Sequence, residues 1–368
     1  MSVRKRRLPS GETRWLVDYR DAAGTRRARQ FKAKSDALVF ETRARTEIAA
    51  GTHVADSASA SLREACEFWL SRAETERLEA STIRQYREHV RLHINPLIGD
   101  LRLSRLTTPK IEEFKDALLQ TRSRSLSRAV LSSVKGIIKE ARRRGLIAHN
   151  PAECVTISTS KRERRKVEIP TKKEIRAILA TSATLWRPTV LWRPLILTAI
   201  FTGLRSSEIR GLTWDHVDLA AGIVRVRQRA DYLKRMGSPK SHAGNRDIPM
   251  APIVLGALRE WRLACPKSGR NLVFPTRRGT IYANSKIRTQ CWLPLQVAAL
   301  GREQYNFHTL RHVAASLFIE QQWSPKKVQQ VMGHSTIKMT FDTYGHLWTN
   351  PESDREAMAQ IEARLVAS

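Results

Sequence analysis

Cysteine is scarce in this chain of 368 residues: Cys66, Cys154, Cys265 and Cys291 are scattered, with no Cys-x-x-Cys spacing. That argues against a structural zinc site and against a disulfide framework, and reduced thiols are expected. Long apolar runs are missing as well. The most apolar stretch, Leu195 to Phe201, is far too short to cross a bilayer. The basic N-terminus, Met1 to Pro9, is not followed by an apolar segment and does not read as a signal peptide. There is no Walker A sequence, no internal repeat and no low-complexity tract. The carboxylates are spread out, without the dense acidic set that a two-cation nuclease or transposase requires. Acidic residues are few altogether, 35 against 65 Lys plus Arg, which leaves a net charge of +30.

Such an excess repels itself unless a polyanion neutralises it. DNA or RNA is the natural partner, because phosphates release condensed counterions when cations bind them. Ribosomal or membrane association would satisfy charge alone, so charge defines a class and not a mechanism. Hydrophobic residues make up 41%, enough for packed cores, and the length suits two or three domains.

Three segments separate by pattern. In residues 1–55, Arg14 to Arg20 alternates apolar and polar like a half-buried strand, and Asp21 to Gly24 reads as a turn. Thr25 to Phe31 returns as a second strand carrying Arg26, Arg27 and Arg29, and Ser35 is expected to cap a helix ended by Gly51. Cations exceed anions by seven over residues 1–50. A ribbon this basic could lie in a DNA groove through Arg14, Arg26, Arg27 and Arg29, or could simply be a solvated charged face. Residues 61–155 read as all-helical. Ser61 opens a helix with Leu62, Ala65, Phe68 and Trp69 at helical spacing, and Ser81-Thr82 begins another that stops before Pro96. Thr107-Thr108-Pro109 starts a third, and a fourth runs from about Ser125 to Arg144. Lys161 to Lys166 looks like a charged linker. Residues 170–368 mix helices with a strand at Ile223 to Arg227 and another near Arg246 to Met250, so Lys234 to Asn245 should be a hairpin turn.

The chemistry-bearing residues lie in this last segment. His308 and Arg311, three apart in Asn306-Phe307-His308-Thr309-Leu310-Arg311-His312, share a face of a first helical turn, where free N–H groups also favour an anion. Ser324 caps a helix ending at Gly333, His334 follows, and Tyr344 stands ten residues later in Thr343-Tyr344-Gly345-His346. Upstream lies Thr202-Gly203-Leu204-Arg205-Ser206-Ser207-Glu208, and between them Pro239-Lys240-Ser241 on the basic hairpin.

In order and spacing these elements resemble the tyrosine recombinases, or phage integrases. The motif match covers roughly residues 170–348; before that the resemblance rests on layout. It implies a multidomain, mainly α protein with small β elements. Residues 1–55 would be a β-ribbon-plus-helix arm-binding domain, 61–155 a helical, SAM-like core-binding domain, and 170–368 a mixed α/β catalytic domain with a C-terminal tail helix. It further implies that Tyr344 attacks the scissile phosphate to give a 3′-phosphotyrosyl link, while Arg205 and Arg311 clamp the non-bridging oxygens. Lys240 would protonate the departing 5′-oxygen, and Lys234 is the alternative on the same hairpin. His308 would help deprotonate Tyr344, His334 would bond the phosphate or tune the nucleophile, and Glu208 would hold the site together. Tyr305 and Tyr232 are the rival nucleophiles, and His312 and His346 the rival histidines.

A covalent link that keeps the bond energy needs no cofactor, neither ATP nor metal. The implied partners are double-stranded DNA attachment sites and three further copies of the chain in a tetramer, with a directionality factor and a host DNA-bending protein as possible accessories and no membrane. The expected location is the cytoplasm of a bacterium, at the nucleoid. The expected activity is integration or excision of a mobile element or prophage. Two alternatives remain open: a type IB topoisomerase, and a DNA-binding protein without catalysis. Ala357, Met358, Ile361 and Leu365 give the tail an apolar stripe that could dock on a neighbouring copy or on its own domain.

Overall fold

The computed structural model describes residues 1–21, 24–51, 53–56, 58–158, 168–186, 191–348 and 351–366. The expected linker, Lys161 to Lys166, lies outside the described residues, as do Ala22 and Ala23 of the first turn. The chain divides into two compact units, residues 1–163 and 164–368.

The first unit contains two separate cores. Strands β1 (Ser2–Arg7), β2 (Thr13–Arg20) and β3 (Arg26–Phe31) form an antiparallel sheet in that order, followed by helix α1 (Lys34–Ala49). Alternation along β2 turns Trp15, Val17 and Tyr19 towards one face, where they meet Ala37 and Phe40 of α1. Strand β1 was not legible in the sequence, because Val3 is the only apolar residue in Ser-Val-Arg-Lys-Arg-Arg. Ser35 lies inside α1 and does not cap it; the cap position is Ala33, without a side-chain bond.

Helices α2 (Leu62–Thr75), α3 (Ala80–His89), α4 (Asn95–Ile98), α5 (Thr108–Thr121) and α6 (Arg124–Arg143) build the second core. Ser61 and Glu64 close a reciprocal capping box at the start of α2. Helix α6 supplies Val130, Leu131, Val134, Ile137 and Ile138 along one buried face. Phe68, expected inside, is 38% exposed and lies under the Arg144 guanidinium, 4.7 Å from the ring centre. The helix begun at Ala80 does not stop before Pro96. A wide turn over Val90–Ile94 carries the helical path into α4, and Pro96, which has no N–H to donate, sits just after that widened turn.

The second unit begins with α7 (Lys172–Ser182), capped by a Thr171–Glu174 box, and α8 (Trp192–Thr202). The apolar run Leu195–Ile200 makes α8 buried nearly all round, so that helices and sheet can pack about it. A short helix α9 (Ser206–Arg210) leads to β4 (Val217–Asp218), β5 (Ile223–Val226), β6 (Arg229–Ala230), β7 (Met236–Gly237) and β8 (Arg246–Pro249). The sheet runs β4-β5-β8, and β6 and β7 pair as a separate ribbon. The expected single hairpin is thus two devices. Lys234, at φ 62°, forms the tight turn of the β6–β7 ribbon, whereas Lys240 lies in the exposed return from β7 to β8.

The remaining helices are α10 (Pro252–Ala264), α11 (Asn284–Ile287), α12 (Leu293–Leu300), α13 (Thr309–Glu320), α14 (Pro325–Met332), α15 (Ile337–Tyr344) and α16 (Pro351–Val366). Met358, Ile361 and Leu365 of α16 are exposed. No helix among the described residues is long and apolar enough to cross a membrane.

Candidate active site

Two left-handed glycines shape the floor of the site. Gly203 (φ 64°) ends α8 and Gly333 (φ 64°) ends α14, and each lets the next residue turn sharply inward. A Cβ on Gly333 would come within 2.9 Å of both the Ala243 carbonyl and the Arg246 guanidinium. Arg205 and His334, two residues and one residue beyond these glycines, are thereby brought to one centre.

That centre is organised by Glu208, whose side chain is 2% exposed. Its carboxylate accepts from the Arg205 backbone N–H (2.9 Å) and Nη1 (2.8 Å), and from Arg246 Nη2 (2.8 Å) and Nη1 (3.2 Å). Burial alone would raise its pKa; the Arg246 and Arg205 charges and hydrogen bonds outweigh burial and hold it at about 2. Arg246 also donates to the carbonyls of Val331 (2.6 Å) and Gly244 (2.9 Å), tying the base of the β7–β8 return to α14. Arg205 Nη2 donates to the Gly333 carbonyl at 2.8 Å. Arg311, 3% exposed on α13, donates to the carbonyls of Gly203 (2.5 Å) and Met332. Burial and the facing charges of Arg205 and Arg246 push its pKa down to about 9, so it stays charged at neutral pH.

Two guanidinium groups therefore bond to one carboxylate, and the buried Arg311 lies close enough to feel the same charges. Among the described residues no other acid bonds to them. The surplus positive charge is what a phosphodiester would neutralise, and planar guanidinium forks match its oxygens.

Tyr344 ends α15 with 1% exposure. His312 Nδ1 lies 2.7 Å from its hydroxyl, and the His334 ring stacks against its ring at 6.2 Å and 13°. His334 is fixed through Nδ1 by the Thr340 hydroxyl, 2.9 Å away on the same helix as Tyr344. Burial pushes the Tyr344 phenol up to about 12, although Arg311 pulls the other way. Burial, reinforced by the neighbouring cations, pushes His308 down to about 4 and His334 to about 3, and lowers His312. All three rings are therefore neutral at pH 7.

The structure brings Arg205, Glu208, Arg311, His334 and Tyr344 together. His308 is the residue just before α13 and sits edge-on to His312, ring centres 5.2 Å apart; no hydrogen bond joins it to Tyr344 among the described residues. Lys240 is exposed in the β7–β8 return. Tyr305 is buried elsewhere, its hydroxyl donating to Glu174 at 3.2 Å, and Tyr232 is exposed on the β6–β7 ribbon. His346 is exposed in the turn Gly345–Leu347.

Arg246 and the direct contact of His312 were not anticipated. The signal for Arg246 was its position: in β8 it shares a face with buried Ile248, where a charge needs a partner. His312 stands four residues after His308, on the same helical face.

The four arginines proposed for the N-terminal ribbon are each engaged by a carboxylate: Arg14 with Glu12 (2.8 Å), Arg26 with Asp18, Arg27 with Asp21 (2.9 Å) and Arg29 with Asp56 (3.3 Å). Arg4, Lys5, Arg6 and Arg7 of β1 are exposed.

Residues 168–350 match the model of the phage integrase family, and residues 61–119 that of the phage integrase N-terminal SAM-like domain. The chain is 25% identical over 343 residues to prophage integrase IntR of Escherichia coli (strain K12), covering 82% of this chain and 79% of that protein. It is 31% identical over 235 residues to tyrosine recombinase XerC of Pseudomonas entomophila (strain L48), covering 61% and 70%. In fold it is similar to the Tn1549 transposon integrase in complex with transposon right end DNA, with a TM-score of 0.70 at 19% identity over 83% of this chain and 100% of that one. A lambda integrase tetramer bound to a Holliday junction gives a TM-score of 0.60 at 18% identity, covering 92% and 94%.

Proposed function

The chain belongs to the phage integrase family and is a tyrosine recombinase, an enzyme of site-specific DNA recombination; from that premise we propose that it integrates or excises a mobile element or prophage through a 3′-phosphotyrosyl intermediate on Tyr344. The observation that carries this reading is the cluster of Arg205, Arg246 and Arg311 around Glu208, with the Tyr344 hydroxyl beside it. The surplus charge draws the scissile phosphate in, and Arg205 and Arg311 exchange backbone carbonyls for its non-bridging oxygens. Attack by Tyr344 Oη forms the phosphotyrosyl bond as the P–O5′ bond breaks. Lys240 swings in from the β7–β8 return and protonates the leaving oxygen. His308 and His334, neutral and close to Arg311, hydrogen-bond the phosphate. Rejoining reverses these steps. Because the covalent bond conserves the energy of the broken one, neither ATP nor a metal ion is required.

Identity with a prophage integrase supports the assignment to mobile DNA. Four copies holding two sites are supported by the exposed apolar residues of α16 and by the tetrameric lambda relative. The basic β1 strand, and the four ribbon arginines once their ion pairs yield to phosphates, would grip a second class of DNA site. A directionality factor and a host DNA-bending protein would complete the assembly.

The experiment uses duplexes selected from a random-sequence pool by binding to the full-length protein. Nicks are tiled along one strand, so that a cut beside a nick releases a short oligonucleotide and traps the adduct. In EDTA, wild-type protein should form an adduct mapping to Tyr344, and Tyr344→Phe should bind without forming it. An adduct on another residue, or one that survives Tyr344→Phe, refutes the reading.

A further inference from the structure

Tyr344 is buried, so its hydroxyl proton must have an acceptor, because a buried donor left without one forfeits its hydration with nothing in return. His312 Nδ1, at 2.7 Å, is the partner that this hydroxyl has among the described residues. If Nδ1 carried the ring proton, two donors would face each other or the phenol proton would be orphaned. The Tyr344 hydroxyl therefore donates to Nδ1, and the ring proton sits on Nε2. The partner is not accidental. His312 is held on α13 between the His308 ring, edge-on at 5.2 Å, and the Tyr344 ring at 5.6 Å, and it follows directly the buried Arg311.

We infer that His312 is a catalytic residue: its Nδ1 takes the proton from Tyr344 Oη as that oxygen attacks phosphorus, and returns it when the DNA is rejoined. The inference rests on the proposed role of Tyr344 as nucleophile. In the forward step the Oη–P bond forms and the P–O5′ bond breaks. The Oη proton passes to Nδ1, leaving His312 as imidazolium, and Lys240 supplies the proton to O5′. In the return step O5′ attacks phosphorus, the phenolate leaves, and Nδ1 hands its proton back. No electrons are exchanged and no further reactant is needed. Two features fit the task. A neutral, partly buried ring can accept, and a proton already lying along a 2.7 Å hydrogen bond needs no reorganisation to move. His308, which faces His312 and not Tyr344, is left free to contact the phosphate.

The test uses the pool-selected nicked duplex with His312→Asn, whose amide can occupy the place of Nδ1 but cannot carry the proton away. Adduct formation should slow by about 10²-fold or more while DNA retention on native gels is kept. Once the wild-type adduct has marked the cleaved bond, the same duplex is made with sulfur in place of O5′ there. Sulfur leaves without a proton, so Lys240→Ala should regain most of its rate, whereas His312→Asn should stay slow. If His312→Asn fails to bind DNA, His312→Gln carries the same measurement. A His312 variant that binds and reacts within a few-fold of wild type, or faster, overturns the inference and leaves His312 as a packing partner. A variant fully restored by the sulfur leaving group overturns it too, since its defect would lie in protonating the leaving oxygen. Both outcomes leave Tyr344 in place as nucleophile, whereas an adduct surviving Tyr344→Phe would remove the underlying reading instead.

Discussion

Glu208→Gln is the perturbation with the largest expected consequence for its size. It changes one oxygen to an amide nitrogen and keeps the shape. It removes the negative charge that Arg205 and Arg246 share, and the Arg246 side chain is 6% exposed. Stranding one member of a buried pair costs about 3–5 kcal/mol. Proton linkage gives a similar size independently. The folded pKa is about 2 against an ordinary 4.5, and at about 1.36 kcal/mol per unit the charged form is favoured by about 3 kcal/mol. The sign follows from the depression: this stability is present above pH 4.5 and is lost as pH falls through the folded value near 2. For a unit of about 200 residues, ~3 kcal/mol lowers Tm by roughly 6–12 °C. Calorimetry at pH 7 should show that drop in Glu208→Gln, with the acid-induced loss below pH 4.5 correspondingly shallower than in wild type. Glu208→Gln with Arg246→Met should be less destabilised than the two single changes added together, because no stranded charge remains. A single-variant cost under about 1 kcal/mol, or strict additivity in the double variant, would refute the argument that Glu208 balances the guanidinium cluster.

Gly333→Ala should cost about 1–3 kcal/mol, since φ is 64° and the new methyl meets Ala243 O and Arg246 at 2.9 Å; thermal melts and adduct rates should fall together. Glu140→Gln in the helical unit, where a carboxylate with no exposure is bonded by Arg72, Arg143 and Arg144, should lower the urea midpoint. Arg143 and the other arginines, against burial, hold Glu140 at about 2, so the wild-type contribution should vanish as pH falls from 4.5 through that value. His334, held down to about 3 by burial and neighbouring cations, prefers to be neutral in the folded state; Tm should therefore decline as pH falls below 6.5, less so in His334→Gln. Tyr344→Phe should be only about 1 kcal/mol less stable than wild type, which calorimetry can check, because one hydrogen bond to His312 is lost and the packing stays.

The sequence by itself determined the local devices and the cast of residues. Ser61 with Glu64 and Thr171 with Glu174 announce helix starts, because an N-cap oxygen and a carboxylate three residues on satisfy free N–H groups wherever they occur. Gly203 and Gly333 mark sharp exits, since a left-handed backbone excludes most other residues. The motif order named Arg205, His308, Arg311, His334 and Tyr344. What the sequence left unread has a common cause: it depends on which distant segments meet. Strand β1 exists because β2 offers an edge to pair with, not because Arg4 to Arg7 favour a strand. Pro96 sits inside a continuing helical path because the turn before it widens. The division of Lys234 and Lys240 between a ribbon tip and a return segment depends on β5 pairing with β8 across the intervening β6–β7 ribbon. The partners of Arg246 lie as far as 85 residues away, and those of His312 and Tyr344 are 32 apart. A one-dimensional pattern records spacing along a helix or strand, so it could list both histidines of α13. Only the seating of Tyr344, at the end of α15, beside α13 decided which of them meets the tyrosine's hydroxyl.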